Sequence, residues 1–440
     1  MITLDKSEMI CENLSRDESG ELTLAGMPLS PLAEKYGTPL YLYDEARIRE
    51  RCRTYLSAAR AAFGEGCRVL YASKAASFSR LYEIMREEGM GIDVVSSGEI
   101  YTARRAGYPL ELAYFHSNNK TDEDIVYAMD SGVGTLVVDN EEELYAIDRI
   151  ARERGKRQKI LLRITPGIDP HTYAAVATGK VDSKFGSAIE TGQADAIVGV
   201  ALSHSGVELR GFHCHIGSQI FDSSVYLSAA QVMLDFVAHI RLVYGYLAAE
   251  LDIGGGLGVR YTKEQPQLDI SAAISEVGSY LRERAARLGI ALPVILLEPG
   301  RSIVADAGLT LYTVGTVKRI PGYKSYVSVD GGMTDNPRYA LYGSPYTILP
   351  VSREVPLDSE SCSVVGRCCE SGDILQENVP LPRDIRRGEL LACLTTGAYH
   401  YSMSSNYNRI PRPPVVMLRD GESYVAVKRE TYEHIASLDI

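Results

Sequence analysis

At 440 residues, with 45% hydrophobic side chains and 39 glycines, the chain fits two domains of an α/β enzyme. Its 46 basic and 57 acidic residues leave a net charge of −11, which argues against nucleic acid or an anionic membrane as the main partner, because both require a cationic face. It holds no uninterrupted apolar run of about 18 residues, so no membrane span is expected.

The first stretch, Met1–Leu22, carries Asp5, Glu8, Glu12, Asp17, Glu18 and Glu21, and reads as neither a signal nor a transit peptide. The eight cysteines (Cys11, Cys52, Cys67, Cys214, Cys362, Cys368, Cys369 and Cys393) form no C-x-x-C pair and no metal-ligand spacing. They are expected to be reduced thiols in a cytoplasmic protein. Leu22–Leu29 is strand-like.

From Val69 a rhythm sets in. Short β-rich apolar runs end in polar or glycine-rich residues: Val69–Lys74, Gly91–Ser96, Leu112–Ser117, Thr135–Asn140, Ile160–Thr165, Gly211–Gly217, Leu251–Gly256 and Val294–Gly300. Helical stretches such as Thr121–Ser131, Asn140–Arg154, Ser223–Ala249 and Ile270–Gly289 separate them. Eight βα units predict a (β/α)8 barrel, a fold of about 250 residues, here over 38–305. An open doubly wound sheet is the runner-up. Beyond it, Thr310–Ile320, Lys324–Asp330, Ser361–Gly366, Glu389–Thr396 and Ser423–Arg429 predict a mostly antiparallel β-domain. With Leu22–Leu29 joining it, that domain comprises 1–37 and 306–440.

Such barrels work at the C-terminal ends of their strands. Those ends carry Lys74, Asp93, His116, Asp139, Arg163, His213, His215, Asp252 and Glu298, with Arg301 just beyond. Lys74, in LYASKAAS, closes a buried strand, where a desolvated amine loses its proton more readily and can condense with an aldehyde. Gly254-Gly255-Gly256 follows the seventh strand, a place where these barrels hold phosphate against backbone N–H groups. Glu298-Pro299-Gly300-Arg301 pairs an acid suited to a ring nitrogen with an arginine suited to phosphate or carboxylate. A structural ion pair is the alternative there. His213 and His215 fit either a metal, for which no third ligand stands out, or stacking on a flat cofactor. Cys368-Cys369-Glu370-Ser371-Gly372-Asp373 and the Tyr-rich stretch Gly397–Asn408 are candidate site loops. Pro166–Phe185, with Gly167, Pro170 and Gly179, has the composition of a lid.

Taken together, YASKA, DVVSSGE, SKFG, HCHIGSQ, DIGGGLG, EPGRS, DGGMTDNPRYALYG, CCESGD and GAYHYSMSSNYN resemble, in order, the motifs of the diaminopimelate decarboxylases. These are pyridoxal-phosphate enzymes of the alanine-racemase-like fold group. The resemblance spans roughly Leu22–Leu418 and implies pyridoxal 5'-phosphate bound covalently to Lys74. It also implies His215 stacked on the ring, Glu298 at the ring nitrogen, and Ser218, Gly254–Gly256, Arg301 and Tyr399 around the phosphate, with Asp93 and Gly300 beside them. Arg301, Arg338, Tyr342, Glu370 and Tyr399 match the substrate-contacting positions, and Cys369 matches the proposed proton donor. Cys369 and Glu370 would enter from a partner subunit of a homodimer, with Lys184 pairing with Asp373 across the interface. The implied activity is decarboxylation of meso-2,6-diaminopimelate to L-lysine and CO2, the last step of lysine biosynthesis. Ala76, Tyr339 and Arg367 depart from the usual Asn, Pro and Pro. A racemase, an inactive regulatory homologue and a metal-dependent barrel are the other readings.

Overall fold

The computed structural model describes residues 9–168 and 181–440. They fall into two compact units, one of residues 51–258 and 268–302, the other of residues up to 50, 259–267 and 303–440.

The first unit is a closed parallel barrel. Its strands are Arg68–Ala72, Gly91–Val94, Ala113–Phe115, Thr135–Val138, Gln158–Thr165, Val207–His213, Glu250–Asp252 and Val294–Leu297. Each pairs with the next, and the last returns to the first through Leu296↔Arg68 and Leu297↔Val69. The strand interiors are almost wholly buried, as a sheet covered on both faces requires. Leu70, Tyr114, Val137, Leu161 and Leu296 fill one buried layer. Several helices begin where a short polar side chain accepts a backbone N–H: Thr121 from Asp124, Asn140 from Glu143, Asp222 from Ser224 and Asp269 from Ala272.

The helix Ser223–Tyr244 is long and apolar enough to cross a bilayer by length and composition alone. In the fold it is an outer barrel helix. It buries Tyr226, Met233, Leu234, Phe236 and Ile240 and is tied to the helix Ile270–Leu288 by Arg284–Asp235 at 2.8 Å.

The second unit is a mostly antiparallel sheet in the order Ile374–Leu381, Glu360–Val365, Ser325–Val329, Gly308–Arg319, Leu40–Asp44, Val415–Arg419 and Glu422–Val427. Leu390–Cys393 pairs with both Gly308–Arg319 and Ile348–Pro350. Here the structure differs from the sequence reading. Leu22–Leu29 does not enter this sheet. It contributes Leu22–Leu24 and Met27–Pro28 to a separate three-stranded sheet with Leu14–Arg16, then starts the helix Leu29–Tyr36. Its apolar side chains pack with Leu40, Leu309 and Val416 in one core. The N-terminal strand that does enter is Leu40–Asp44, placed by the sequence on the barrel side of residue 38. It is buried at every position because it lies in the middle of the sheet. Residues 259–267 also pack here, through Tyr261 against Tyr346 at 5.2 Å between ring centroids.

Candidate active site

The first barrel strand delivers Ser73–Ala75 as one 3-10 turn, with Ser73 and Ala75 buried and the Lys74 side chain 43% exposed. Lys74 Nζ lies 4.0 Å from Oδ2 of Asp93, at the end of the second strand. A Cβ on Gly300 would stand 2.9 Å from the Cβ of Ala72, so glycine is what lets the end of the eighth strand lie against the lysine turn.

Three strand ends converge on Glu298. His116 Nε2 is 2.8 Å from Oε1 and His213 Nε2 is 3.1 Å from Oε2. The two imidazoles meet edge to face with centroids 4.8 Å apart. Burial alone would raise the Glu298 carboxyl, but the two facing histidines outweigh it and hold it well below the ordinary carboxylate range. Burial pushes His213 down to about 4, so it donates as a neutral imidazole. Burial, reinforced by Glu298, raises Asp252 far above its usual value, and its Oδ1 accepts Gly254 N–H at 2.8 Å. The pocket floor therefore carries a fixed anion at Glu298. His215 follows the sixth strand and is kept neutral by burial and by the nearby Lys74 and Arg163.

The Gly254–Gly256 loop is threaded between neighbouring strand ends. A Cβ on Gly255 would meet Glu298 O at 1.9 Å, and one on Gly256 would meet Gly217 O at 2.1 Å. Gly254 and Gly256 have φ of +71° and +110°, conformations that L side chains avoid. Ser218 Oγ accepts from Arg301 Nη2 at 2.9 Å and from Nε at 3.2 Å. These residues fit pyridoxal phosphate. An anion suits a protonated ring nitrogen, a glycine loop with a buried arginine suits a phosphate, and an amine suits an aldehyde. Asp93 Oδ1 and His213 Nδ1 are buried there without a hydrogen-bond partner among the described residues, polar capacity of the kind a bound polar group uses.

The sheet unit gathers a second set of residues. Arg338, 6% exposed, places its guanidinium 5.1 Å from the ring centroids of both Tyr342 and Tyr399 and donates to Tyr346 OH at 3.1 Å. Tyr399 follows a cis peptide bond from Ala398. In the CCESGD loop Cys369 and Glu370 are exposed and Cys368 is buried. Burial, then the neighbouring Asp373, pushes the Cys368 thiol up to about 11 and leaves it inert. Asp373 is buried and accepts Met333 N–H at 2.6 Å and Cys368 N–H at 2.7 Å, both within its own unit. Lys184 lies 4.9 Å over the Phe185 ring, whose other contact is Arg163 at 4.2 Å.

Of the departures, Tyr339 donates to Glu377 Oε2 at 3.2 Å, away from Arg338, and Arg367 is exposed. Ala76 is buried, its carbonyl accepting from Tyr71. Residues 169–180 of the expected lid lie outside the described residues.

The sequence reading noticed His116 and Asp252 only as polar strand ends and gave them no role. Their placement at the ends of barrel strands was the available signal. It also saw no third metal ligand beside the histidines, whereas His116, His213 and Glu298 bring ligand atoms within 4.8 Å of one another. The His213–Glu298 contact is a direct hydrogen bond, and His116 Nε2 stands at ion-pair distance, 2.8 Å, from Glu298 Oε1.

Residues 45–305 match the family described as pyridoxal-dependent decarboxylase, pyridoxal binding domain. The chain is 44% identical over 425 residues to the diaminopimelate decarboxylase of Bacillus subtilis (strain 168), covering 97% of this chain and 96% of that one. Diaminopimelate decarboxylase from M. jannaschii, solved in co-complex with L-lysine, aligns with a TM-score of 0.90 at 31% identity over 98% of each chain. The Helicobacter pylori enzyme, complexed with L-lysine, aligns at 0.84 and 30% over 93% of this chain and 99% of that one. By this likeness, which runs almost the full length of the chain, the protein belongs to the diaminopimelate decarboxylase family of pyridoxal-dependent decarboxylases.

Proposed function

We propose that this protein decarboxylates meso-2,6-diaminopimelate to L-lysine and CO2. The observation that carries the reading is the Glu298 anion, held between His116 and His213 at the floor of the barrel site. Lys74 would hold pyridoxal phosphate through Nζ, with Ser218, Gly254–Gly256, Gly300 and Arg301 around its phosphate and His215 against its ring. When bound, the cofactor supplies an electron sink for the pair left on carbon as CO2 departs. Glu298 keeps a proton on the ring nitrogen, and the His116 and His213 contacts keep that carboxylate in place. Asp93 faces the Lys74 amine and holds its charge balance.

The substrate reading rests on Arg338. A guanidinium buried against the Tyr342 and Tyr399 rings is suited to the distal carboxylate of diaminopimelate, with Arg301 a second cation for a substrate carboxylate and Glu370 taking the distal ammonium. Ornithine lacks that carboxylate and would leave a buried cation unpaired. Cys369 gives its thiol proton to the carbon that CO2 leaves. Cys369 and Glu370 are supplied by a second copy of the chain in a homodimer, with Lys184 meeting Asp373 across the contact. None of the eight cysteines is in a disulfide, which suits a cytoplasmic enzyme.

The test is a paired assay of the purified protein with added cofactor. A Lys74-dependent visible band, with CO2 released from diaminopimelate and not from ornithine, supports the reading. A band with no CO2 from diaminopimelate overturns the substrate assignment. The three-residue cluster at Glu298 favours one competing reading, a metal enzyme; bound metal in place of the band would establish it. Cys369→Ala is expected to slow lysine formation by about 100-fold or more while the band remains, and unchanged turnover would remove its role.

A further inference from the structure

Cys369 is exposed, yet its backbone is held from several sides. The preceding amide, Cys368 N–H, donates to Asp373 Oδ2 at 2.7 Å. The other oxygen of Asp373 takes Met333 N–H at 2.6 Å, which ties this loop to the Gly331–Asp335 turn. Behind Cys369, Glu370 N–H returns to Cys368 O at 2.8 Å. The amide of Cys369 itself donates to Asn408 Oδ1 at 2.7 Å. A cysteine has one side-chain torsion before its sulfur, so a fixed backbone leaves the thiol three staggered positions and little else.

Asn408 is suited to this contact. Its φ and ψ are 52° and 20°, the left-handed region, which asparagine tolerates and most side chains do not. Its segment is pinned on both sides. Ser405 N–H donates to Thr334 O at 2.8 Å, and Asn406 Nδ2 donates to Ile410 O at 3.1 Å and to Glu430 Oε2 at 2.6 Å. The acceptor is thus presented to Cys369 by a loop that is itself braced, although the two residues lie 39 apart in sequence.

We infer that Asn408 is a positioning residue for the Cys369 thiol, setting where its proton is delivered. This deepens the proposed function and rests on Cys369 being the proton donor. In the step concerned, the bond between carbon and carboxylate breaks and CO2 leaves its electron pair behind. A new C–H bond forms to that carbon with the proton of Cys369 Sγ, and the thiolate recovers a proton from water. A proton delivered to another atom of the delocalised pair gives a product other than lysine. A misplaced donor therefore lowers the lysine formed per CO2 released, whereas a merely destabilised enzyme loses both together.

The experiment measures lysine per CO2 for the cofactor-loaded wild type, Cys369→Ala, Asn408→Gly and Asn408→Asp. Glycine keeps the left-handed backbone and removes the acceptor; aspartate keeps both. Asn408→Gly is expected to lower the ratio about threefold, the scale of a donor shifted by a fraction of an ångström, and Asn408→Asp to restore it. If Cys369→Ala lowers the ratio and Asn408→Gly does not, the role of Asn408 is overturned and that of Cys369 stands. If Asn408→Asp falls as far as Asn408→Gly, the acceptor is not what positions the thiol, and the inference also fails. A ratio unchanged in Cys369→Ala overturns the proton-donor reading and this inference with it.

Discussion

At the barrel strand ends Glu298 is surrounded by Asp93, Asp252, two histidines and Lys74, and of the three carboxyls it alone is held below the ordinary range. Burial raises Asp93 and Asp252, while the histidines facing Glu298 hold it down. Glu298→Gln removes the anion and keeps the shape. It is expected to lower turnover about 100-fold, the scale of one charged contact to a reacting system, with the visible band of the bound cofactor retained. Full activity in that variant would sink the assignment of the ring-nitrogen partner. Arg338→Ala removes the guanidinium packed against Tyr342 and Tyr399. It is expected to raise KM for diaminopimelate by about 100-fold or more, from the loss of a charged hydrogen-bonding contact of about 3 kcal/mol. An unchanged KM would mean that the distal carboxylate binds elsewhere.

At the scale of elements, each barrel strand carries a polar residue out of an apolar interior and stops. The helix Ser97–Arg105 shows how closely the elements beside the site are coupled to it. Ser96 caps its N-terminus, and Glu99 accepts Val95 N–H at 2.8 Å. Burial, opposed by that hydrogen bond and reinforced by Asp93, pushes the Glu99 carboxyl up to about 7. The folded protein then holds a proton between pH 4.5 and about 7 that the unfolded chain has released. Stability from this group is therefore lost as pH rises through that window. Glu99→Gln is expected to flatten the fall of Tm between those pH values, by the equivalent of about 3 kcal/mol. Parallel Tm profiles for the two proteins would show that Glu99 titrates normally.

At the scale of the molecule, the residues assigned to one reaction are divided between two compact units. Lys74, Glu298 and the phosphate loop belong to the barrel; Arg338, Tyr399, Cys369 and Glu370 belong to the sheet unit. A homodimer with shared sites makes a specific prediction. Lys74→Ala and Cys369→Ala proteins, each inactive alone, are expected to regain about a quarter of wild-type activity when unfolded together and refolded. Random pairing makes half the dimers mixed, with one intact site in each. No recovery would place both residues in the same copy's site.

The barrel was legible because its strands are short, apolar and regularly spaced, and each announces its end with a polar residue. Lys74, His215, the three glycines and Glu298-Arg301 could be picked out as candidates for the same reason, as local motifs at the ends of those strands. The exchange of Leu22–Leu29 for Leu40–Asp44 in the sheet was not legible. Both are apolar runs near one chain end, and only the neighbours available to pair distinguish a central strand from a peripheral one. Nor were the contacts that set the chemistry. His116, His213 and Glu298 come from strands far apart in the chain, and so do Asn408 and Cys369 from their loops. Local sequence determined which groups the protein carries and at which strand ends. Tertiary structure decided which of them lie together, and the histidines it sets against Glu298 hold that carboxyl down while burial raises Asp93 and Asp252.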